Sequence, residues 1–144
     1  MKEQDFTCSI TANVTAQAAA NAINQVSAWW AKTVEGNPQK QDDVFTVKFG
    51  ETWVTFKITE LIPAERIVWT VTDCYLPWLE DKTEWKGTKT IFQISTTGNL
   101  TAINFIHHGL TPQVECYDQC VKGWTGHITG SLLNLLNTGV GQPA

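Results

Sequence analysis

The chain of 144 residues has no apolar run near the roughly 20 residues that a membrane helix needs, so no spanning segment is expected. It has no surplus of positive charge: 10 Lys and Arg stand against 14 Asp and Glu, the net charge is −4, and no basic cluster occurs. That argues against nucleic acid and against anionic membrane surfaces as principal partners. Met1 to Ile10 lacks the charged-then-apolar pattern of a signal peptide. The four cysteines (Cys8, Cys74, Cys116 and Cys120) are accordingly expected as reduced thiols of a cytoplasmic protein. No glycine-rich phosphate loop is present, because Gly139 to Gly141 would follow a helix rather than precede one. The acidic residues are scattered, so no catalytic carboxylate pair can be placed by spacing. With no internal repeat, low-complexity tract or linker, residues 1–144 read as a single domain.

What the chain has in excess is tryptophan. Seven in this length exceed the needs of packing, and large aromatics line apolar pockets as well as filling cores. The most informative stretch is Thr111 to Leu136, which reads as one long amphipathic helix. Val114, Tyr117, Val121, Trp124, Ile128, Leu132 and Leu135 recur at helical spacing. Thr111 is the expected N-cap, Pro112 suits the first helical position, and Gly139 lies where a stop belongs. Gly123, Gly126 and Gly130 each cost roughly 1 kcal/mol inside a helix. Gly123 and Gly130 flank the apolar stripe, where they would permit close backbone approach or leave room for a ligand. Nothing in the pattern accounts for Gly126.

Before this helix the chain alternates. Phe6 to Thr11 reads as a strand, and Asn13 to Asn24 and Ser27 to Lys32 as two short helices capped by Thr15 and Ser27. Glu35 to Asp43 reads as a loop. Five strands follow: Val44 to Phe49, Trp53 to Leu61, Arg66 to Thr72, Trp85 to Ser95 and Leu100 to His107. Their connections are mostly short, so the sheet should be antiparallel. Cys74 to Lys82 breaks the rhythm with Tyr75, Leu76, Pro77, Trp78 and Leu79. This apolar loop suits a lid, a docking patch or a segment folded onto the core. An α+β fold follows, a curved antiparallel sheet of about six strands around a long C-terminal helix.

This order resembles the helix-grip fold of START domains, birch-pollen-allergen-like proteins and bacterial polyketide cyclases (the SRPBCC superfamily). The residues that carry the likeness are Trp29-Trp30, Thr101 to Phe105 running into His107-His108-Gly109-Leu110, and Gly123-Trp124. Within the superfamily the chain is similar to the branch named for the C-terminal domain of the activator of the ninety-kilodalton heat-shock-protein ATPase. Glu84 to Thr88, Glu115-Cys116 with Cys120, Ser131-Leu132 and Thr138 to Pro143 look like one bacterial subgroup of it. The resemblance implies a carrier or sensor that holds a small hydrophobic molecule between sheet and helix. It implies no cofactor, no metal and no shared catalytic motif. The co-chaperone role carries over poorly, because the eukaryotic activator works with a second domain.

The expected pocket is lined by Trp69, Phe92, Ile103, Phe105, His107, Trp124 and Ile128, with Trp78 near its mouth. Such a carrier needs a cavity above roughly 300 Å³. An alternative is a cyclase or hydratase in which His107 is the general base, helped by Tyr117 or Glu84. A third is a protein-interaction module using Tyr75 to Leu79, the chain being a monomer or a homodimer. Cys116 and Cys120, four apart, could touch one metal ion or form a redox pair. His127, seven residues beyond Cys120, is about 10 Å further along and cannot join them. Inert buried thiols are the simpler expectation for both cysteines.

Overall fold

The computed structural model describes residues 5–144. Within them the order is β1 (Phe6–Ala12), α1 (Ala16–Asn24), α2 (Val26–Trp29), β2 (Thr33–Gly36), β3 (Val44–Phe49), β4 (Thr52–Ile62), β5 (Arg66–Tyr75), β6 (Lys89–Thr97) and β7 (Leu100–His108), followed by the C-terminal helix. The strands form one seven-stranded sheet in the order β1-β7-β6-β5-β4-β3-β2. Every neighbouring pair is antiparallel. β1 closes onto the last strand, with Phe6 opposite His107 and Ile10 opposite Ile103. Two register shifts in β4, at Thr55/Phe56 and Ile58/Glu60, are bulges of the kind that bend a strand and let a sheet curl.

The alternation of the sequence sets the faces. Val54, Phe56 and Ile58 of β4, Ile67, Trp69 and Val71 of β5, and Ile103, Phe105 and His107 of β7 are all buried on the helix side. Thr15 caps α1 as expected, its hydroxyl accepting from the Ala18 amide at 3.0 Å. Ser27 does not cap α2. That helix starts at Val26, with Gln25 as its N-cap and no side-chain cap bond. β2 occupies residues expected partly as loop, and the strand expected from Trp85 begins only at Lys89. Trp85 belongs to the turns between β5 and β6.

The long helix differs most from expectation. It starts at Tyr117, after a run of turns, so Thr111 and Pro112 do not open it. An α-helix (α3, Tyr117–Thr125) passes into a π-helical segment, Gly126–Leu132, and then into α4 (Leu133–Thr138). The run is roughly 30 Å long. Its buried stripe is Cys120, Trp124, Ile128 and Leu132, each four residues from the last. Val114, Tyr117, Val121 and Leu135 are only partly buried. In an α-helix each step of four overshoots a full turn by about 40°. The wider π turn undershoots instead, so alternating the two keeps all four side chains on the sheet. Gly139, at φ 82°, ends the helix in the left-handed conformation that glycine adopts without strain.

Beyond the helix, residues 140–144 return along α2. The Ala144 amide donates to the Trp30 carbonyl and the Lys32 amide to the Ala144 carbonyl, both at 2.9 Å. The buried Ser131 hydroxyl donates to the Trp29 carbonyl at 2.6 Å and accepts from the Gln142 amide at 2.7 Å. A Cβ on Gly141 would collide with the Ala28 carbonyl oxygen, so that glycine permits the close approach. These bonds hold Trp29 and Trp30 against the sheet from behind. No helix among the described residues is long and apolar enough to cross a membrane.

Candidate functional site

The middle of the grip between sheet and helix is filled. Trp30, just past α2, places its ring 4.8 Å from Trp124, 5.6 Å from Phe56 and 6.3 Å from Trp69. Phe105 lies 4.5 Å from Trp124, and Trp69 lies 4.7 Å from Phe92. Trp69, Phe92, Ile103, Phe105 and Ile128 are completely buried in this packing. The structure therefore places these five in a solid core, not around an open space. The cause is steric: Trp29 and Trp30 deliver two large rings from the helix side, and the sheet meets them with its own aromatics.

The open space lies at one end of the grip. It is a cavity of about 240 Å³, smaller than the 300 Å³ expected of a carrier, and it opens to solvent. One wall is the β3–β4 hairpin, through Phe49, Thr52 and Val54. A second is the loop between β5 and β6, through Leu76, Trp78 and Trp85. The helix supplies Gln119, Cys120, Gly123, Trp124 and His127, and Trp30 is the floor. Of the residues singled out from the sequence, Trp78 and Trp124 line it. Trp78 is 47% exposed at the rim. Larger depressions of about 580, 450 and 300 Å³ lie elsewhere; the first two are lined mostly by small or polar side chains such as Asn24 and Ser27, or Thr96 and Asn99, and the third by Val14, Ala18, Ala22, Leu135 and Leu136.

The β5–β6 loop is a fixed wall rather than a loose lid. Both oxygens of the Glu115 carboxylate accept from the Glu80 amide, at 3.0 and 3.1 Å. In return Glu84 accepts from the amides of Glu115 and Cys116, at 2.6 and 3.2 Å. Two carboxylates thus satisfy backbone donors on opposite sides of one seam, Glu84 taking amides just ahead of α3 that have no helical partner. Glu84 is held in this seam and does not line the pocket.

His107 is held as well. The Trp124 indole N–H donates to its Nδ1 at 3.0 Å. An indole nitrogen only donates, so Nδ1 carries the lone pair and Nε2 carries the hydrogen. Nε2 then donates to the Thr88 hydroxyl at 2.9 Å, and that hydroxyl donates to the Trp85 carbonyl at 2.7 Å. Both ring nitrogens are used. Burial pushes the His107 pKa down to about 3 against a weaker opposing pull from Asp5. It is a neutral, fully bonded core residue beneath the pocket, and the expected general base is not available. His108 faces outward and pairs with Asp5 at 2.8 Å, while Asp5 also accepts from the Gly109 amide at 3.0 Å.

The cysteines depart from expectation. Cys116 and Cys120 are joined by a disulfide, so the four are not all reduced thiols. Cys116 is the N-cap of α3 and Cys120 lies one turn on, so their sulfurs share a face, and the Cα atoms are 5.6 Å apart, within bridging reach. The Trp85 indole N–H donates to the Cys116 sulfur at 3.2 Å. Cys8 and Cys74 are free thiols, and burial raises the pKa of both, that of Cys8 to about 11. The glycines of the helix also resolve. A Cβ at Gly123, Gly126 or Gly130 would meet nothing within 4 Å, so close packing explains none of them. Gly123 leaves the pocket open, and nothing in the structure explains the other two.

No protein-family model matches this chain, and no curated protein sequence matches it. Solved structures do. The Aha1 dimer of Colwellia psychrerythraea is similar over 96% of this chain and 98% of its own, with a TM-score of 0.77 at 20% identity. This is the helix-grip fold. The protein SSP2350 of Staphylococcus saprophyticus matches over 97% of each chain, with a TM-score of 0.71 at 14% identity. DynU16, a putative protein of the dynemicin biosynthetic locus, matches 97% of this chain and 49% of its own, with a TM-score of 0.72 at 13% identity. At such identities the likeness fixes the architecture and leaves the site to be argued from its own residues. In this helix-grip chain Gly123 leaves room in the pocket, as its place beside the stripe suggests, while Trp30, Phe49, Thr52, Val54, Leu76, Trp85, Gln119, Cys120 and His127 are lining residues that the sequence pattern does not single out. Trp85 was placed in a strand, and only the contacts of the folded loop bring it to the helix.

Proposed function

We propose that this protein binds a small, neutral, apolar molecule of one or two rings in the pocket at the open end of the grip. The observation that carries the proposal is the lining itself. Four tryptophans, Trp30, Trp78, Trp85 and Trp124, surround a space that is open to solvent, whereas Trp69, Phe92, Ile103, Phe105 and Ile128 are completely buried. The volume of about 240 Å³ falls below that of drug-sized pockets and sets the upper size of the occupant. No Asp, Glu, Lys or Arg contributes to the lining. The polar groups present are Thr52, Gln119 and His127, and burial lowers the His127 pKa, which favours the neutral ring. A charged ligand would therefore find no counter-charge, whereas an apolar ring with one hydroxyl or carbonyl would find both stacking and a hydrogen bond.

The experiment is a titration with 2-naphthol followed by tryptophan fluorescence, in the wild type and in Gly123→Leu. The leucine enters free space, so the fold should survive while the pocket is filled. Saturable binding in the wild type and none in the variant is the expected result. Equal binding in both, or none in either, rejects the pocket as the site. The Colwellia neighbour is named as a dimer. Sedimentation of this protein with and without 2-naphthol shows whether it also associates and whether association depends on the pocket.

A further inference from the structure

The disulfide beside the pocket is placed asymmetrically. Cys120, 7% exposed, lines the cavity, while Cys116, 1% exposed, does not. Cys116 is the N-cap of α3, where the amides of the first turn have no helical acceptor and the helix dipole favours negative charge. Its sulfur also accepts the indole N–H of Trp85 at 3.2 Å. One sulfur thus faces the space where a ligand would sit, and the other sits where a thiolate would be stabilised. The acidic groups at this end of the helix are Glu84, whose carboxylate accepts the amides of Glu115 and Cys116, and Asp118 in the first turn. Thiol–disulfide exchange requires an accessible sulfur to be attacked and a partner that leaves easily as thiolate. The pair meets both requirements, with the roles assigned by position.

We infer that Cys116–Cys120 is a thiol–disulfide exchange site that captures small aromatic thiols from the pocket as mixed disulfides on Cys120. The inference rests on the pocket proposed above and names a chemical class for its ligand. In the step, the ligand enters as its neutral thiol, loses the proton to solvent through the open mouth of the pocket, and its sulfur attacks that of Cys120. A new S–S bond forms between ligand and Cys120, the Cys116–Cys120 bond breaks, and its electron pair leaves on Cys116 as thiolate. No external oxidant or reductant is consumed, since one disulfide replaces another. Return attack by Cys116 on Cys120 releases the ligand thiolate and restores the original bond.

The test begins with a count of free thiols in the unfolded, unreduced protein. Two, from Cys8 and Cys74, are expected, and four overturn the proposal. The oxidised protein is then mixed with naphthalene-2-thiol or with 2-mercaptoethanesulfonate at equal thiolate concentration. It is quenched in acid, alkylated and mapped by mass. The aromatic thiol should appear on Cys120, with Cys116 alkylated, at least tenfold faster than the sulfonate. Adducts on Cys116, equal rates for the two thiols, or no adduct overturn it. As a second measurement, Cys116→Ser and Cys120→Ser are challenged with di(2-naphthyl) disulfide. Only the first should be labelled, and equal labelling overturns the assignment of Cys120. Trp85→Phe keeps the ring and removes the donor. Because Trp85 also lines the pocket, the rate is read at saturating thiol, where a change in affinity cancels; it should fall about tenfold, because a hydrogen bond to a charged sulfur is lost. An unchanged rate overturns Cys116 as leaving group. 2-Naphthol separates the two proposals: binding without exchange rejects the chemistry alone, and no binding rejects the pocket as well.

Discussion

Acid should destabilise this protein through His107, and the size of the effect follows from its surroundings. The folded chain holds the imidazole neutral, with its pKa pushed from 6.5 to about 3 by burial. An unfolded chain protonates the same ring at its ordinary value. Below pH 6.5 the unfolded state therefore binds the extra proton, and stability falls with pH until about pH 3. From the linkage relation the loss between pH 7.5 and pH 5 is about 2 kcal/mol, at about 1.4 kcal/mol per pH unit once below the ordinary value. The Asp5 carboxyl pKa is also lowered, but its window opens only below the ordinary value of 3.8. His127, whose pKa burial also lowers, acts in the same direction and is neutralised as a variable by working in a His127→Asn background. His107→Gln replaces the ring with an amide whose oxygen can accept from Trp124 and whose nitrogen can donate to Thr88. The assay is urea unfolding at pH 7.5 and 5.0, followed by tryptophan fluorescence. The difference between the two pH values should shrink by about 2 kcal/mol in the His107→Gln variant. If the two proteins show the same pH dependence, His107 does not titrate as its burial requires, and the tautomer assigned from the Trp124 bond is wrong.

Other substitutions test the packing. Gly141→Ala places a methyl on the Ala28 carbonyl and should lower stability by about 1–3 kcal/mol in a thermal melt. Ser131→Ala leaves the Trp29 carbonyl and the Gln142 amide without their partner and should cost about 1–3 kcal/mol in urea unfolding. Gly126→Ala and Gly130→Ala meet open space and should each raise stability by up to about 1 kcal/mol, read as a higher melting temperature. Glu84→Ala uncaps the amides of Glu115 and Cys116 and should raise hydrogen exchange across residues 115–119 while leaving β1 and β7 protected.

The sheet was legible because each strand writes its faces at a period of two. Val54, Phe56 and Ile58 alternate with Thr55 and Lys57, and Ile103, Phe105 and His107 recur at the same period, and burial follows that alternation in the fold. β2 was not, since Thr33–Gly36 is short, largely exposed and lies at the sheet edge, where no apolar face is required. The helix was legible in existence and in its stop at Gly139, and misread at its start. Thr111-Pro112 has the chemistry of a helix opening, yet the amides that need a partner ahead of α3 are taken by Glu84, some 30 residues away in sequence. A cap supplied at that distance leaves no local mark. The π segment was hidden for a related reason. A four-residue apolar spacing at Cys120, Trp124, Ile128 and Leu132 is compatible with several stripes, and only the sheet decides which one is buried.

The site was half legible for a reason that lies in the tryptophans. Their number pointed to aromatic surface beyond what a core needs, but not to which rings would fill and which would line. The division is made by Trp30. Its position is fixed from behind by the returning tail and by the Ser131 bond to the neighbouring carbonyl, and from in front by Trp69 and Trp124. A smaller side chain there would join the end pocket to the middle of the grip and create the larger cavity that a carrier of bulky ligands requires. Trp30→Ala should therefore lower stability by about 3–5 kcal/mol through the void it leaves. It should also widen the range of bound ligands from one or two rings to three or more, read as fluorescence enhancement of N-phenyl-1-naphthylamine. Lost stability without gained binding would mean that the core collapses into the gap, and that Trp30 supports the pocket without setting its size.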